Sequence, residues 1–412
     1  MNSKIAGLGF LILISLGLFS CQSKTRKTAA NGDRNPYPVE IDFANNFKNY
    51  KEIKLSEIAD SVEYIKLENL PESMVKEAWS VQVSDSFIFV AQYNSLLQFD
   101  RKGKFIRQVG RKGRGPGEYA NIYGLCINSK DRRLYVNAGK SHKIQVYDFG
   151  GEYKTGLDYF PNREFEMLDS AKVVSSIENF SGQEAHKLLV TGPHRDTLGN
   201  LFNTVKYPIQ KGRFMISTSF EKRFYRWNNV LHFLPFYGDT VFQIKTLKEM
   251  TPLYVINKGK YKLPVNCRIE RLKDYNQFER KAAPYLQTVV DEIEDYVLIS
   301  YTKANYEEKR KLALYNKHTG ELFSIGNPDH KAYGFTNDLD GCGNYIHQAI
   351  QDNRYMISYY PAISMYTKNE KRIKEIAEKG IQEKLNPNYL EFIKSLKKDD
   401  NLIVQIVHLK KG

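Results

Sequence analysis

Leu97-Gln98-Phe99-Asp100-Arg101-Lys102-Gly103-Lys104-Phe105 and, 48 residues further on, Ile144-Gln145-Val146-Tyr147-Asp148-Phe149-Gly150-Gly151-Glu152-Tyr153 carry one pattern. An apolar strand ends in Asp, a tight turn closes on Gly, and a new strand begins. Asp starts such a turn by bonding the backbone that follows it, and Gly accepts the positive φ at its end. Leu314-Tyr315-Asn316-Lys317-His318-Thr319-Gly320-Glu321-Leu322-Phe323 repeats the pattern with Asn. The first two copies each follow another apolar run, Phe87–Ala91 and Leu134–Ala138. Four strands every 40–50 residues or so is the blade period of a β-propeller. A β-sandwich uses similar turns, but it rarely runs this long unbroken, and no linker-like break follows residue 62.

The expected fold is therefore all-β, a six-bladed β-propeller, with short helical insertions near 267–281 and 370–398. Without those insertions, residues 62–409 give six blades of roughly 50 residues each, and seven also fit. In the first insertion Ile269, Leu272 and Tyr275 share a helical spacing. In the second, Ile373, Ile376, Ala377 and Ile381 make one stripe. Tyr389, Phe392, Ile393 and Leu396 make another after Asn386-Pro387, a good cap and first-turn pair. Both stripes are expected to pack on the domain. Val62-Glu63-Tyr64-Ile65-Lys66-Leu67 alternates with period two, and Leu402–Leu409 is a β-branched run. A ring must join its ends, so these two segments are expected to share the closing sheet.

Composition agrees with this class. The chain has 412 residues, 42% hydrophobic and 13% aromatic, with Tyr (28) and Phe (23) far above Trp (2), a mixture that suits strands. A mean hydropathy of −0.51 excludes a bundle of membrane-spanning helices. Lys and Arg (61) exceed Asp and Glu (47), for a net charge of +14.

The N-terminus sets the address. Lys4 precedes an apolar run, Ile5 to Phe19, that is too short for a stable span of about 20 residues. Such a segment describes a secretory signal peptide. Its end, Leu18-Phe19-Ser20-Cys21, resembles the bacterial lipobox, in which the Cys becomes residue one and carries lipid such as palmitate. Gln22–Pro38 has almost no large apolar side chain and reads as a tether. The expected organisation is a signal peptide over 1–20, a lipidated tether over 21–38 and a single propeller over 39–412. The expected place is the cell envelope, anchored to a membrane and most naturally the outer one. Export argues against nucleic acid as a partner despite the charge.

At Gly113-Arg114-Gly115-Pro116-Gly117-Glu118-Tyr119 the chain resembles the Bacteroidetes six-bladed β-propeller lipoproteins, relatives of the NHL-repeat propellers. That family's "FDxxGKF" hairpin and "GxGPGEY" loop are matched by Phe99–Phe105 and by this loop. Ser61–Glu68 is similar to its opening strand, Gly238-Asp239-Thr240-Val241-Phe242 to its "DTVY" strand, and Asn337-Asp338-Leu339-Asp340-Gly341 to its "NDxDG" turn. Asp399-Asp400-Asn401-Leu402 lacks the proline of "DDNP". The resemblance spans about 38–410 and implies fold and export; the family has no single activity to carry over.

Local motifs for chemistry are few. A phosphate cradle GxxxxGK[ST] ending at Gly139-Lys140-Ser141 needs Gly at position 134, where Leu134 stands. The 110–119 loop is then a turn between blades. Arg101, Lys102, Lys104, Arg107, Arg111, Lys112 and Arg114 form an acid-free run. Such a run solvates a hairpin edge, or docks an anionic glycan, lipid headgroup or acidic protein. Asp338-Leu339-Asp340-Gly341 starts like a calcium loop but lacks the downstream Glu, so a structural calcium ion is not specified. The histidines and Cys126, Cys267 and Cys342 specify no zinc site, and no cofactor is expected.

The function expected is a lipid-anchored, envelope-located propeller that binds a ligand or protein partner, acting as a monomer. The candidate ligand-binding residues are Arg107, Arg111, Arg114, Glu118, Tyr119, Asn337, Asp338 and Asp340, with Cys21 for lipidation. The alternative is a propeller enzyme, a lyase or hydrolase of glycans or modified peptides, with its site at the channel mouth. Convergent titratable side chains there favour the enzyme; aromatics and amides favour the binder.

Overall fold

Asp100 Oδ1 accepts the backbone N–H groups of Lys102 (2.8 Å) and Lys104 (2.9 Å), and Asp148 Oδ1 those of Gly150 (2.9 Å) and Glu152 (3.0 Å). Asn316 does the same for His318 and Thr319. Gly103, Gly151 and Gly320 take positive φ (84°, 86° and 73°), so all three turns close as their residues require. The structure, a computed structural model, describes residues 38–139, 143–158, 164–177, 179, 182–206, 223–267, 274–305, 309–379 and 386–411.

Three strands come first: β1 (Val39–Ile41), β2 (Tyr50–Lys51) and β3 (Ala59–Lys66). Blade one is β4 (Ser80–Val83), β5 (Phe87–Ala91), β6 (Leu96–Asp100) and β7 (Phe105–Gln108). A short parallel pair follows, β8 (Arg111–Lys112) with β9 (Glu118–Tyr119). Blade two is β10 (Gly124–Asn128), β11 (Arg133–Asn137), β12 (Lys143–Asp148) and β13 (Tyr153–Asp158). Blade three is β14 (Phe165–Met167), β15 (Val173–Ser176), β16 (His186–Thr191) and β17 (Thr197–Phe202). Blade four is β18 (Phe224–Trp227), β19 (Val230–Phe233), β20 (Thr240–Ile244) and β21 (Met250–Ile256). Blade five is β22 (Leu286–Glu292), β23 (Tyr296–Lys303), β24 (Lys311–Asn316) and β25 (Leu322–Asn327), to which β26 (Ala332–Tyr333) pairs. Blade six is β27 (Ala349–Gln351), β28 (Tyr355–Tyr360), β29 (Ile403–Leu409) and the early strand β3. Six small sheets in a ring make a six-bladed β-propeller.

The closing sheet is the expected one. β29 runs antiparallel to β3 in a register that sets Ile403 opposite Lys66 and Val407 opposite Val62. The segment before β3 also girdles the ring. β1 adds in parallel to β21, β2 adds in parallel to β25, and Lys54 bridges to Thr336. The first described residues thus supply the outermost strand of blades four, five and six in turn. Phe43 and Phe47, between β1 and β2, stack at 5.2 Å and bury against Tyr301.

Each blade-to-blade junction carries its own apolar core. Phe89 meets Leu134 and Tyr147 between blades one and two; Tyr135 meets Phe165 and Val173 between two and three. Val174 and Leu188 meet Phe224 and Leu231; Tyr225 and Val241 meet Val290 and Ile299. Leu298 and Leu314 meet Met356 and Val407; Ile357 and Val404 meet Val90 and Leu97, which closes the ring.

Antiparallel alternation puts the turns after first and third strands at one end, and all other connections at the opposite end. The first set is short throughout, while every long connection lies in the second. Helices fall there too. Tyr275–Ala282 is helical, as the spacing predicts; Ile269 and Leu272 lie outside the described residues. The second insertion turns helical at Ala362, earlier than the expected 370, because Pro361 follows β28 directly and its carbonyl accepts the N–H groups of Ser364 and Met365. It runs to Lys379; Ile381 and the side chains of Ile373, Ile376 and Ala377 lie outside the description. Pro387–Ser395 is helical after Asn386, whose side chain accepts from Asn388 N. Tyr389, Phe392, Ile393 and Leu396 pack with Met365, Tyr64 and Ile403, as the stripe predicts.

Deleting residues 400–412 is expected to abolish the cooperative melt of the whole domain. It removes Ile403, Val404, Ile406 and Val407, all at 0% exposure. At roughly 1.5–3 kcal/mol per buried aliphatic side chain, their loss approaches the roughly 5–15 kcal/mol that holds a domain together. Thermal circular dichroism on the monomeric fraction reads this; an unshifted melt contradicts the closure.

Candidate functional site

The first strand of a blade borders the ring axis, and a cavity of about 1530 Å³ lies there. Its mouth is on the long-connection face. Trp79 and Tyr93 come from blade one, Tyr123 from the start of blade two, and Glu164 and Arg223 from the starts of three and four. Arg310 hangs from the β23–β24 connection of blade five, and Gln348 and Tyr359 belong to blade six. The rings of Tyr93 and Tyr123 meet edge-on at 5.7 Å, with their hydroxyls 3.2 Å apart. Tyr93 is 50% exposed, and Met74 beside it is also open to solvent. Gln92 sets the rim: Oε1 accepts Lys76 N at 2.9 Å, and Nε2 donates to Ser95 Oγ at 3.0 Å.

Two acids of the wall, Glu164 and Glu166, are engaged by arginines. Arg223, 4% exposed, pairs with Glu164 at 3.3 Å and lies 4.2 Å over the Phe236 ring. Arg226 pairs with Glu166 at 3.8 Å and donates to Met167 O. Glu166 in turn receives Cys126 Sγ at 3.1 Å, and burial pushes that thiol's pKa up. Between blades five and six, His347 Nε2 lies 3.2 Å from Asp291 Oδ2, both side chains buried. Among the described residues no three His, Cys, Asp or Glu side chains group as metal ligands would.

The opposite end of the channel is spanned by side chains. Ser129 Oγ donates to Asp352 Oδ2 at 2.8 Å, and Asn353 Nδ2 donates to Asn228 Oδ1 at 3.0 Å. These come from the turns after the first strands of blades two, six and four. Asn228, Asn229, Asp352 and Asn353 all have positive φ (47°, 63°, 53° and 52°), the conformation of tight hairpin turns that Asn or Asp tolerates. The cavity is therefore a well with its mouth among the long connections.

Residues 38–408 match the family described as Domain of unknown function (DUF4934). The chain belongs to that family. No curated protein matches the DUF4934 chain in sequence. Among solved structures it is similar to a "putative exported protein" of Bacteroides fragilis, with a TM-score of 0.64 and 16% identity over 90% of this chain and all of that one. It is also similar, at a TM-score of 0.35 and 14% identity, to the extracellular domain of a two component system of B. thetaiotaomicron, over 64% of this chain and 29% of that one. At 16% identity the likeness to the B. fragilis protein is one of fold.

The residues singled out in the sequence lie away from the well. Arg107 is on the outer strand β7 and donates to Gly150 O in the neighbouring blade. Arg111 Nε donates to Glu118 Oε1 at 2.7 Å, while Oε2 accepts the N–H groups of Arg114 (3.0 Å) and Gly115 (2.9 Å). The Gly115 N–H first, and Arg111 beside it, hold the Glu118 carboxyl below its ordinary pKa. A Cβ at Gly113 would displace that carboxylate from the N–H groups it accepts. Tyr119 is wholly buried, its hydroxyl donating to Val109 O at 2.9 Å. Lys102, Lys104, Lys112 and Arg114 are exposed and carry no ion pair among the described residues. Asp338 accepts from Ser56 N (3.0 Å) and Oγ (2.6 Å), and Asp340 from Tyr64 hydroxyl (3.0 Å) and Cys342 N (2.7 Å). Asn337 Nδ2 donates to Asp340 Oδ1 at 2.8 Å, so this turn docks the segment that closes the ring. Cys21 lies outside the described residues.

Behind the wall lies an acid-sensitive support. Tyr225 stacks on His232 with centroids 4.6 Å apart, and its hydroxyl donates to Glu292, which also receives Tyr254 and Lys317. Burial drives the His232 pKa down to about 4. A depressed folded-state pKa means stability that is present above the unfolded value of about 6.5 and is lost as pH falls through the folded one. The loss amounts to roughly 3 kcal/mol at about 1.4 per unit. His232→Phe, which keeps the stack, is expected to flatten the decline in urea midpoint between pH 6.5 and 4. A decline identical to wild type contradicts the assignment.

Proposed function

We propose that this DUF4934 chain is an exported, lipid-anchored propeller that binds its ligand in the central well and does no chemistry of its own. The observation that carries the reading is the make-up of the mouth. Half-open aromatic rings and partly engaged amides face the cavity, while Glu164 and Glu166 are tied to arginines rather than free to move protons. Pockets of this kind hold a ligand by apolar faces and a few fixed polar groups. Export is supported by the signal-like start ending at Cys21, and two acyl chains give lasting anchorage where one does not. The similar B. fragilis structure is itself described as that of an exported protein. Within this reading the protein is a monomeric, NHL-like lipoprotein of the outer membrane.

The basic edge of blade one has a second part in this proposal. Arg107, Arg111 and Arg114 lie on the outside of the ring, where they dock an anionic glycan, headgroup or acidic envelope protein. An enzyme at the same mouth, a lyase or hydrolase, has one observation in its favour, the buried His347–Asp291 pair. Its signature is turnover abolished in His347→Ala.

Two measurements check the proposal. Cys21→Ser is expected to move the protein from the membrane to the soluble fraction with its β-rich circular dichroism unchanged; continued sedimentation with membranes overturns the anchor. On a panel of glycans and envelope peptides, Tyr93→Ala is expected to lose the ligand of the well. Reversal of Arg107, Arg111 and Arg114 to Glu is expected to remove only salt-sensitive binding to anionic surfaces. A ligand untouched by Tyr93→Ala places recognition elsewhere.

A further inference from the structure

We infer that the occupant of the well is a carboxylate-bearing oligosaccharide, with Arg310 receiving one of its carboxylates. The inference rests on the well being the binding site. It adds the chemical class.

Size comes first. About 1530 Å³ exceeds the roughly 300–1,000 Å³ of a pocket for one drug-sized molecule, so the space suits several linked rings rather than one. The mouth supplies flat surfaces for them. Tyr93 and Tyr123 present edge-paired rings, and Trp79 lines the wall beside them. Sugar rings have apolar C–H faces and polar edges, which matches aromatic rings with a polar tip set at a wet rim.

Charge decides the rest. Arg223 and Arg226 already have acids, but Arg310 is half-buried at the cavity and makes no ion pair among the described residues. Guanidinium cannot shed its proton, so it carries its charge into a partly dry site and favours an anion there. Its planar fork fits a carboxylate with two parallel hydrogen bonds. Exposed Lys76 and Glu77 at the rim offset each other. Arg310 thus calls for an acceptor that carries negative charge.

The test uses the full chain in detergent and isothermal titration with tetragalacturonate, a hyaluronan tetrasaccharide, neutral maltotetraose and tetraglutamate. A uronate oligomer is expected to bind about tenfold or more tighter than maltotetraose, the scale of one charge-assisted bidentate contact. Arg310→Gln is expected to bring it down to the neutral level, with Arg310→Lys in between. Tyr93→Ala is expected to weaken acidic and neutral sugars alike. Equal affinity for maltotetraose, no uronate binding, or no effect of Arg310→Gln overturns the inference; preference for tetraglutamate makes the ligand an acidic peptide instead. Uronate binding that ignores both well variants and vanishes on reversal of Arg107, Arg111 and Arg114 shows instead that the well reading itself is wrong.

Discussion

Backbone pairing between β3 and β29 is the contact on which the rest of the ring depends. Six sheets are sealed by six junction cores, and a core of this kind exists only where both blades are complete. Without β3, blade six ends in an open edge. Its interface with blade one then loses Ile65 and Leu67. The pairing joins residues more than 330 positions apart, so the loop that must close is nearly the whole domain. Loop-closure entropy grows only slowly with length, yet contacts this distant in sequence come late in folding. The girdle of β1 and β2 has the same property. β1 and β2 pair with strands that lie some 215 and 274 residues further along the chain.

The polar turn at 337–342 shows how the closure is held at its margins. Asp338 takes Ser56 and Asp340 takes Tyr64, so each carboxylate bonds a residue on the incoming N-terminal segment. Burial raises the pKa of Asp340, which its hydrogen bonds from Cys342 N, Tyr64 and Asn337 counteract. Glu118 plays a comparable part between blades one and two, gathering the N–H groups of a glycine-rich loop that has no strand to satisfy them.

How much was legible in the sequence follows from range. Asp100, Asp148 and Asn316 bond backbone within four residues of themselves, so their turns could be read locally. The closing strands were legible because a period of two and a β-branched run persist whatever their partner. Glu118 and Asp340 stood out for composition, but a carboxylate beside glycines reads alike whether it meets a ligand or its own loop. The well itself left no local mark. Trp79, Tyr123, Glu164, Arg223, Arg310 and Tyr359 come from six blades, and only ring geometry brings them together. The signal for the long-connection face was available as uneven spacing between strands, though nothing in it said which side chains would turn inward.

The side chains that span the base of the channel bear on what the proposed binding well would hold. Ser129 with Asp352, and Asn353 with Asn228, tie three alternate blades together across the axis. In the proposed reading these bridges stand across the straight path of a chain held in the well, so such a chain would enter by a terminus or a short branch. It would leave by the opening through which it came, and two chains would compete for one berth. Recognition of that kind would count ends rather than repeats, and cutting a polymer would multiply the sites it presents without changing its mass.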